Sequence, residues 1–260
     1  MPQLKLGIQL ASLRMPFRKA LETAARLGAD AVEVDARNEV RPSEMTGTGL
    51  RHLRKLLEDY NLRVAAVRFL TRRGYDVHDE LDRRVEATRR AMKMAYDLGA
   101  SVVINHVGRV PEEADGRSWE LLTGTLEELG RYGQHVGAFL AAETGSESPE
   151  SLRRLIDALP DGTFGVNLDP GNLAIHGYSS GEAVDLLGQF VLHVHAKDGV
   201  RDLAQGRGIE VPLGRGSVDF PALIGRLEEF GYRGYFTIER EHADDPVFEV
   251  GQAVKFLRQM

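Results

Sequence analysis

Leu27-Gly-Ala-Asp-Ala-Val-Glu-Val34 reads as the end of a helix, a stop and the start of a strand. Phe17, Ala20, Leu21, Ala24 and Leu27 recur at helical spacing before it, and Gly28 is the residue type that closes a helix in a left-handed turn. The plan returns in Leu98-Gly-Ala-Ser-Val-Val-Ile104 and in Phe230-Gly-Tyr-Arg-Gly-Tyr-Phe-Thr-Ile238. A chain that repeats helix, glycine, short loop and strand builds parallel strands joined by crossover helices.

Working outward, eight strands are expected: Leu4 to Leu10, Ala31 to Asp35, Arg63 to Leu70, Ser101 to Val107, Ala138 to Glu143, Phe164 to Asp169, Phe190 to Asp198 and Tyr235 to Glu239. Helices are expected over Phe17 to Leu27, about Leu50 to Tyr60, Leu81 to Leu98, within Trp119 to Val136, from a Ser148 cap and Pro149 through Leu159, around Glu182 to Leu187, over Asp219 to Phe230 and over Val247 to Leu257. The alternation predicts an α/β chain folded as a (β/α)8 TIM barrel, with residues 1–260 as a single domain of ordinary length for that fold. A doubly wound open sheet is the competitor. It usually carries a Gly-x-Gly-x-x-Gly loop after its first strand, and here Gly206-Arg-Gly208 and Gly214-Arg-Gly216 fall in a late loop instead.

The formal net charge of -6 gives no global basic field for a nucleic acid, although a local patch stays open. The absence of cysteine excludes disulfides, thiolate metal sites and a thiol nucleophile. No run approaches a membrane span, and Met1-Pro-Gln-Leu-Lys-Leu-Gly-Ile8 lacks the plan of a signal peptide. A soluble cytoplasmic protein with neither nucleic-acid nor membrane partners is expected, and homo-oligomerisation stays open.

Phe190-Val-Leu-His-Val-His-Ala-Lys-Asp198 is unusual for a buried parallel strand, which normally reads as unbroken Val, Ile and Leu. Alternation puts Leu192, Val194 and Ala196 on one face and His193, His195 and Lys197 on the other. Barrel enzymes carry function at the C-terminal ends of strands. There the last polar residues of strands five to eight are Glu143, Asp169, His195 and Glu239. One such carboxylate alone reads as a helix N-cap or a solvated loop residue. Four polar residues in consecutive strands read as a metal site, with His193 one pleat deeper in a supporting role. Three carboxylates and one imidazole suit Mn²⁺, Mg²⁺ or Co²⁺, and Zn²⁺ is accommodated.

The ensemble of Ala141-Ala-Glu143, Leu168-Asp-Pro-Gly-Asn172, His193-Val-His-Ala-Lys-Asp198 and Leu213-Gly-Arg-Gly-Ser-Val-Asp-Phe220, leading to Gly231 through Glu239, resembles the xylose isomerase-like barrel superfamily over essentially the whole chain. The similarity is to its sugar (phosphate) isomerase/epimerase branch. It implies one divalent metal ion held by Glu143, Asp169, His195 and Glu239, and a sugar or sugar-phosphate substrate. In the ketose 3-epimerases of that branch the matching glutamates, Glu143 and Glu239 here, also move the proton. The chemistry is coherent: removing a proton beside a carbonyl makes an enediolate, which a metal stabilises. Two carboxylates then take the proton from one face and return it on the other, to the same carbon for epimerisation or the neighbouring one for isomerisation.

One departure stands out, because the family pattern after strand six is Asp-x-x-His and this chain has Asp169-Pro-Gly-Asn172. Asn172 still hydrogen-bonds a hydroxyl but is a poor ligand for a zinc cluster. Lys197, Asp198 and Arg201 match the family's Lys-Asp-x-x-Arg, so Lys197 and Arg201 are candidates for a ketose oxygen or a phosphate; equally, such a cation pairs with a lumen carboxylate such as Glu33. His106 is a candidate hydroxyl contact, and Trp119 is either a wall over a sugar or a helix-packing residue. Asp202 to Ser217, with Arg207 and Arg215, reads as a phosphate loop or a lid. Competing functions are an inosose dehydratase-like lyase, an endonuclease IV-like metal nuclease and a non-catalytic sugar-binding barrel.

Overall fold

The computed structural model describes residues 3–202 and 207–260. In chain order its strands are β1 (Lys5–Gln9), β2 (Ala31–Asp35), β3 (Arg63–Arg68), β4 (Val102–Asn105), β5 (Phe139–Glu143), β6 (Phe164–Leu168), β7 (Val191–Ala196), β8 (Asp198–Asp202), β9 (Arg207–Val211) and β10 (Tyr235–Ile238). β1 to β7 and β10 are parallel and close into one barrel, with β10 joining β7 to β1. The (β/α)8 barrel is therefore the fold, and the open sheet is excluded. No helix of the described residues is long and apolar enough to cross a membrane.

The helices are α1 (Phe17–Leu27), α2 (Gly47–Asp59), α3 (Leu81–Asp97), α4 (Gly116–Val136), α5 (Pro149–Asp157), α6 (Pro170–His176), α7 (Ser180–Leu187), α8 (Phe220–Glu229) and α9 (Pro246–Arg258). Gly28 ends α1 at φ 89°, as its position predicts. Ser148 caps α5 by accepting from the Ser151 amide at 3.2 Å, and Pro149 fills the first helical position, where no N–H is missed.

Two expectations needed correction. A single helix was expected after β6, but α6 precedes α7, because Asp169-Pro170 is itself a helix start whose cap accepts from the Asn172 amide. The seventh strand ends at Ala196 rather than Asp198, and Asp198 opens an antiparallel pair, β8 with β9, inside what read as a loop.

Alternation sorts the barrel side chains into two environments. Val67, Val103, Leu140 and Ala142 join the large core under the helices, whereas Ala66, Val102, Ile104 and Ala141 form a separate small cluster. That cluster marks an apolar arc of the lumen under β3 to β5. Gln9, Glu33, Asn167, His193, His195 and Thr237 are fully or almost fully buried and make the other arc polar. Burying polar groups on this scale is costly without partners, and Asn167 Oδ1, His193 Nε2 and Thr237 Oγ1 have no hydrogen-bond partner among the described residues.

The seam between β1 and β10 is tight, since Gly7 pairs in register with Thr237 and a Cβ on Gly7 would lie 2.3 Å from Thr237 Oγ1. Replacing Gly7 with Ala should therefore destabilise the fold by ~1–3 kcal/mol through overpacking. The double variant Gly7→Ala/Thr237→Ala removes the colliding hydroxyl and should recover part of that loss. Denaturant unfolding of the two variants and the wild type checks both statements.

Candidate metal centre

Glu143 ends β5, Asp169 follows β6, His195 lies in β7 and Glu239 follows β10, so four strands deliver four side chains to one point. Each offers one ligand atom, and these atoms all lie within 4.8 Å of one another. His195 Nδ1 is 3.0 Å from Glu239 Oε2, 3.2 Å from Glu143 Oε1 and 3.8 Å from Asp169 Oδ2. Their side chains are 0 to 4% exposed. Asp169 Oδ2 and Glu239 Oε2 are buried without a hydrogen-bond donor among the described residues. Carboxylate oxygens so placed ask for a cation, and three carboxylates with one imidazole nitrogen fit one divalent ion.

Local structure fixes the aim of these groups. Asp169 Oδ1 accepts from the Asn172 amide at 2.8 Å while its own amide donates to Thr144 Oγ1 at 2.8 Å, leaving Oδ2 turned into the lumen. One oxygen of this carboxylate thus caps the helix and the other faces the cluster. Glu143 Oε2 is 2.7 Å from His106 Nε2, which places the exposed His106 ring at the rim.

Behind the four lies a layer that the sequence reading largely missed. His195 Nε2 is 2.8 Å from Glu33 Oε2, and His193 Nε2 is 3.5 Å from the same oxygen. Gln9 Nε2 donates to Glu33 Oε1 at 3.0 Å and to Glu239 Oε1 at 2.8 Å. Asn167 Nδ2 is 3.0 Å from His195 Nδ1. Arg68, at the end of β3, puts Nη1 3.5 Å from Asp35 Oδ2 at the same mouth. The available signal was polar residues inside otherwise apolar strands, the feature that exposed His195. Glu33 also meets His193 and His195 at metal-ligand spacing. The two groups share His195 through opposite ring nitrogens, Nδ1 toward the three carboxylates and Nε2 toward Glu33.

The charges are strongly coupled to this geometry. Burial pushes Glu33 up, but His195 and His193 beside it bring its carboxyl down to about 2. Glu143 is likewise raised by burial and brought to about 2 by hydrogen bonds from His106 and His195. Burial dominates at Asp169 and lifts it to about 6 despite Lys197. Burial would lower His195, yet the carboxylates of Glu239 and Glu33 hold it well above the ordinary imidazole range. The centre of the cluster thus favours positive charge.

Lys197 is buried and pairs with Glu241 at 3.1 Å, with Glu239 at 3.6 Å and Asp169 at 3.9 Å beyond. It thus pairs with lumen carboxylates and with Glu241 at the rim, as one of its two readings expected, but not with Glu33, which the histidines occupy. Asn172 is half-buried on the first turn of α6 and reaches Asp169 through its backbone. Arg201 is exposed on β8, its guanidinium packed over Gly177 at the end of α6, outside the carboxylate cluster. Trp119 is buried in the core with Arg154 over its ring at 5.7 Å, so its role is helix packing.

The late glycine loop is held by protein groups. Asp198 accepts from the amides of Gly199 at 2.9 Å, Gly214 at 3.0 Å, Gly216 at 2.8 Å and Val218 at 3.2 Å. The Gly214 and Gly216 donors that suggested phosphate binding are therefore taken. The part of that loop at residues 203–206 lies outside the described residues. Glu210 on β9 accepts from the amides of Glu241 at 2.9 Å and His242 at 2.8 Å, tying the hairpin to the segment after Glu239.

The family model described as xylose isomerase-like TIM barrel matches residues 21–260. An uncharacterized protein of Methanocaldococcus jannaschii is 27% identical over 176 residues, 63% of this chain and 58% of that protein. The rhizopine catabolism protein MocC of Rhizobium meliloti is 27% identical over 266 residues, covering 87% and 80%. An inosose dehydratase of Clostridium beijerinckii is 24% identical over 225 residues, covering 73% and 72%. Among solved structures, a xylose isomerase domain protein from Planctomyces limnophilus superposes with TM-score 0.87 at 24% identity, covering 99% of this chain and 97% of that one. A xylose isomerase-like barrel protein from Mycobacterium smegmatis, in complex with magnesium, gives 0.79 at 18% identity over 99% and 96%. D-allulose 3-epimerase from Methylomonas sp., in complex with D-allulose, gives 0.76 at 20% identity over 99% and 97%.

The anchor at Asp198 carries a direct expectation. Asp198→Ala leaves four backbone donors without their shared acceptor and should cost about 2–4 kcal/mol of stability. Asp198→Asn keeps one acceptor oxygen and should cost less. Urea unfolding ranks the two, and an alanine variant as stable as wild type would contradict the anchoring role.

Proposed function

The chain belongs to the xylose isomerase-like TIM barrel family, and on that premise we propose that it is a divalent-metal-dependent isomerase or epimerase of a sugar or sugar phosphate. The observation that carries this reading is the convergence of Glu143, Asp169, Glu239 and His195 Nδ1, with two inward carboxylate oxygens that lack a hydrogen bond among the described residues. These four residues would hold one ion, Mn²⁺, Mg²⁺ or Co²⁺ by donor chemistry, with Zn²⁺ accommodated. When bound, the ion supplies Lewis-acid charge that stabilises an enediolate formed beside the substrate carbonyl.

The chain's own residues handle the proton. Glu143 and Glu239 are both held below the ordinary carboxylate range, so each is ionised at neutral pH and able to accept a proton from carbon. His106 on Glu143 Oε2 and Gln9 on Glu239 Oε1 fix the two carboxylates. Lys197 keeps a buried ammonium beside Asp169 and Glu239, placed to orient a substrate oxygen. His106 after β4, Asn172 on α6 and Arg201 on β8 complete the proposed substrate contacts. A cytoplasmic small-molecule enzyme is the setting that fits the composition.

Similarity to an inosose dehydratase supports a second reading, in which the same proton abstraction is followed by loss of water. Mass spectrometry of products from a panel of ketoses and inososes separates the two, through retained mass or a loss of one water.

Glu239→Gln and Glu143→Gln should each cut solvent deuterium incorporation into a ketose substrate by at least about 10²-fold while circular dichroism stays that of the wild type. A metal titration should saturate at one ion per chain. Full exchange in the Glu239 variant overturns the assignment, and three ions per chain would favour a multi-metal hydrolase.

A further inference from the structure

Two groups of the lumen remain to be explained: the carboxylate of Glu33, which has no role in the proposed reaction, and the amide of Gln9, which does more than fix Glu239. Both are buried, both come from the β1–β2 side of the barrel, opposite in the chain to the ligand-bearing strands, and both touch the site directly. We propose that they form a positioning pair, in which Glu33 dictates which nitrogen of His195 faces the three carboxylates and Gln9 couples that choice to the pose of Glu239. The inference rests on the functional reading above.

A neutral imidazole has one N–H and one lone pair, and the neighbours decide which nitrogen carries which. Glu33 is fully buried, its Oε1 accepts from Gln9 Nε2 at 3.0 Å and its Oε2 lies 2.8 Å from His195 Nε2, so its carboxylate is the acceptor of both and His195 Nε2 carries the hydrogen. In the neutral ring Nδ1 is then left with its lone pair facing Glu143, Asp169 and Glu239, the position a ligand nitrogen needs. The amide of Asn167, donating toward Nδ1 at 3.0 Å, agrees with that assignment.

The orientation of Gln9 is fixed by a closed circuit of donors and acceptors. The Arg240 amide donates to Ser12 Oγ at 3.0 Å, and Ser12 Oγ donates to Gln9 Oε1 at 2.9 Å. The amide nitrogen of Gln9 is thereby turned to the other side, where its two hydrogens go to Glu33 Oε1 and Glu239 Oε1. Reversing the amide would break three bonds at once and set a carbonyl against two carboxylates. The circuit starts on the residue after Glu239 and returns to Glu239, so the histidine and the proton-moving carboxylate share one frame. A packing role alone would need no such donor order, because any buried polar group can be satisfied locally.

The test uses the full chain, stripped of metal, as wild type, Glu33→Gln, Glu33→Asp and Gln9→Leu. Glutamine at position 33 has one acceptor for two donors, His195 Nε2 and Gln9 Nε2, and must abandon one. Manganese(II) binding is read from the electron paramagnetic resonance of the free ion. Ring tautomers are read by ¹⁵N nuclear magnetic resonance of histidine-labelled, metal-free protein at alkaline pH. Wild type should show His195 as the Nε2–H tautomer. Glu33→Gln should populate the Nδ1–H form and lose about 10- to 100-fold in manganese affinity. Gln9→Leu should bind manganese more nearly like wild type but lower kcat more than it raises KM, since it frees Glu239 while leaving Glu33 on His195. Unchanged tautomer and affinity in Glu33→Gln would overturn the proposal. If that variant fails to fold, Glu33→Asp replaces it: with the carboxylate set back by one methylene, wild-type affinity there overturns the proposal equally. Wild-type protein that takes up no manganese sinks the functional reading, and the tautomer spectra then still decide the role of Glu33.

Discussion

Four carboxylates, those of Glu33, Glu143, Asp169 and Glu239, are buried in one lumen of this barrel, and the rest of the site is organised around keeping them there. Ionised groups removed from water are tolerated only when paired and hydrogen-bonded. Here the compensation comes from several sides: two histidines on β7, Lys197 just beyond it, and the neutral donor Gln9. Two inward oxygens, Asp169 Oδ2 and Glu239 Oε2, are left over, which makes the centre an acceptor of cations.

Several residues serve the fold and the site with different atoms. Asp169 caps α6 with Oδ1 and faces the cluster with Oδ2. His195 turns one ring nitrogen to Glu33 and the other to the carboxylate trio. Glu210 grips the backbone that follows Glu239, so the β8–β9 hairpin also steadies the rim where Glu241 meets Lys197. In such an arrangement a substitution at one of the four clustered positions also disturbs local structure, and an activity loss by itself does not identify a ligand.

Much of this was legible in the chain. Glycine stops after periodic helices located the strands, and the polar residues ending strands five to eight are the four that converge. The histidine motif stood out because its polarity contradicted its strand environment, and both rings are buried in the lumen. The same contradiction was present in Ala31-Val-Glu-Val-Asp35 and in Leu4 to Leu10, yet Glu33 was read only as a lumen partner for a cation and Gln9 was passed over, since both precede the strand-end cluster by more than a hundred residues. The glycine-rich segment after β7 misled in the opposite direction: backbone donors that suggested a phosphate belong to Asp198, a partner sixteen and eighteen residues away for Gly214 and Gly216.

The sequence by itself determined the order of strands and helices and the residue types at strand ends, because both follow from local periodicity and from where a barrel presents its loops. Only the tertiary structure decided which oxygen of Asp169 caps and which faces inward, that Glu33 rather than a cation meets His195, and that Gln9 bridges Glu33 to Glu239. Those choices depend on rotamers and hydrogen-bond directions across strands that meet only when the barrel closes, β1 against β10, and no local pattern in the chain encodes that closure distance.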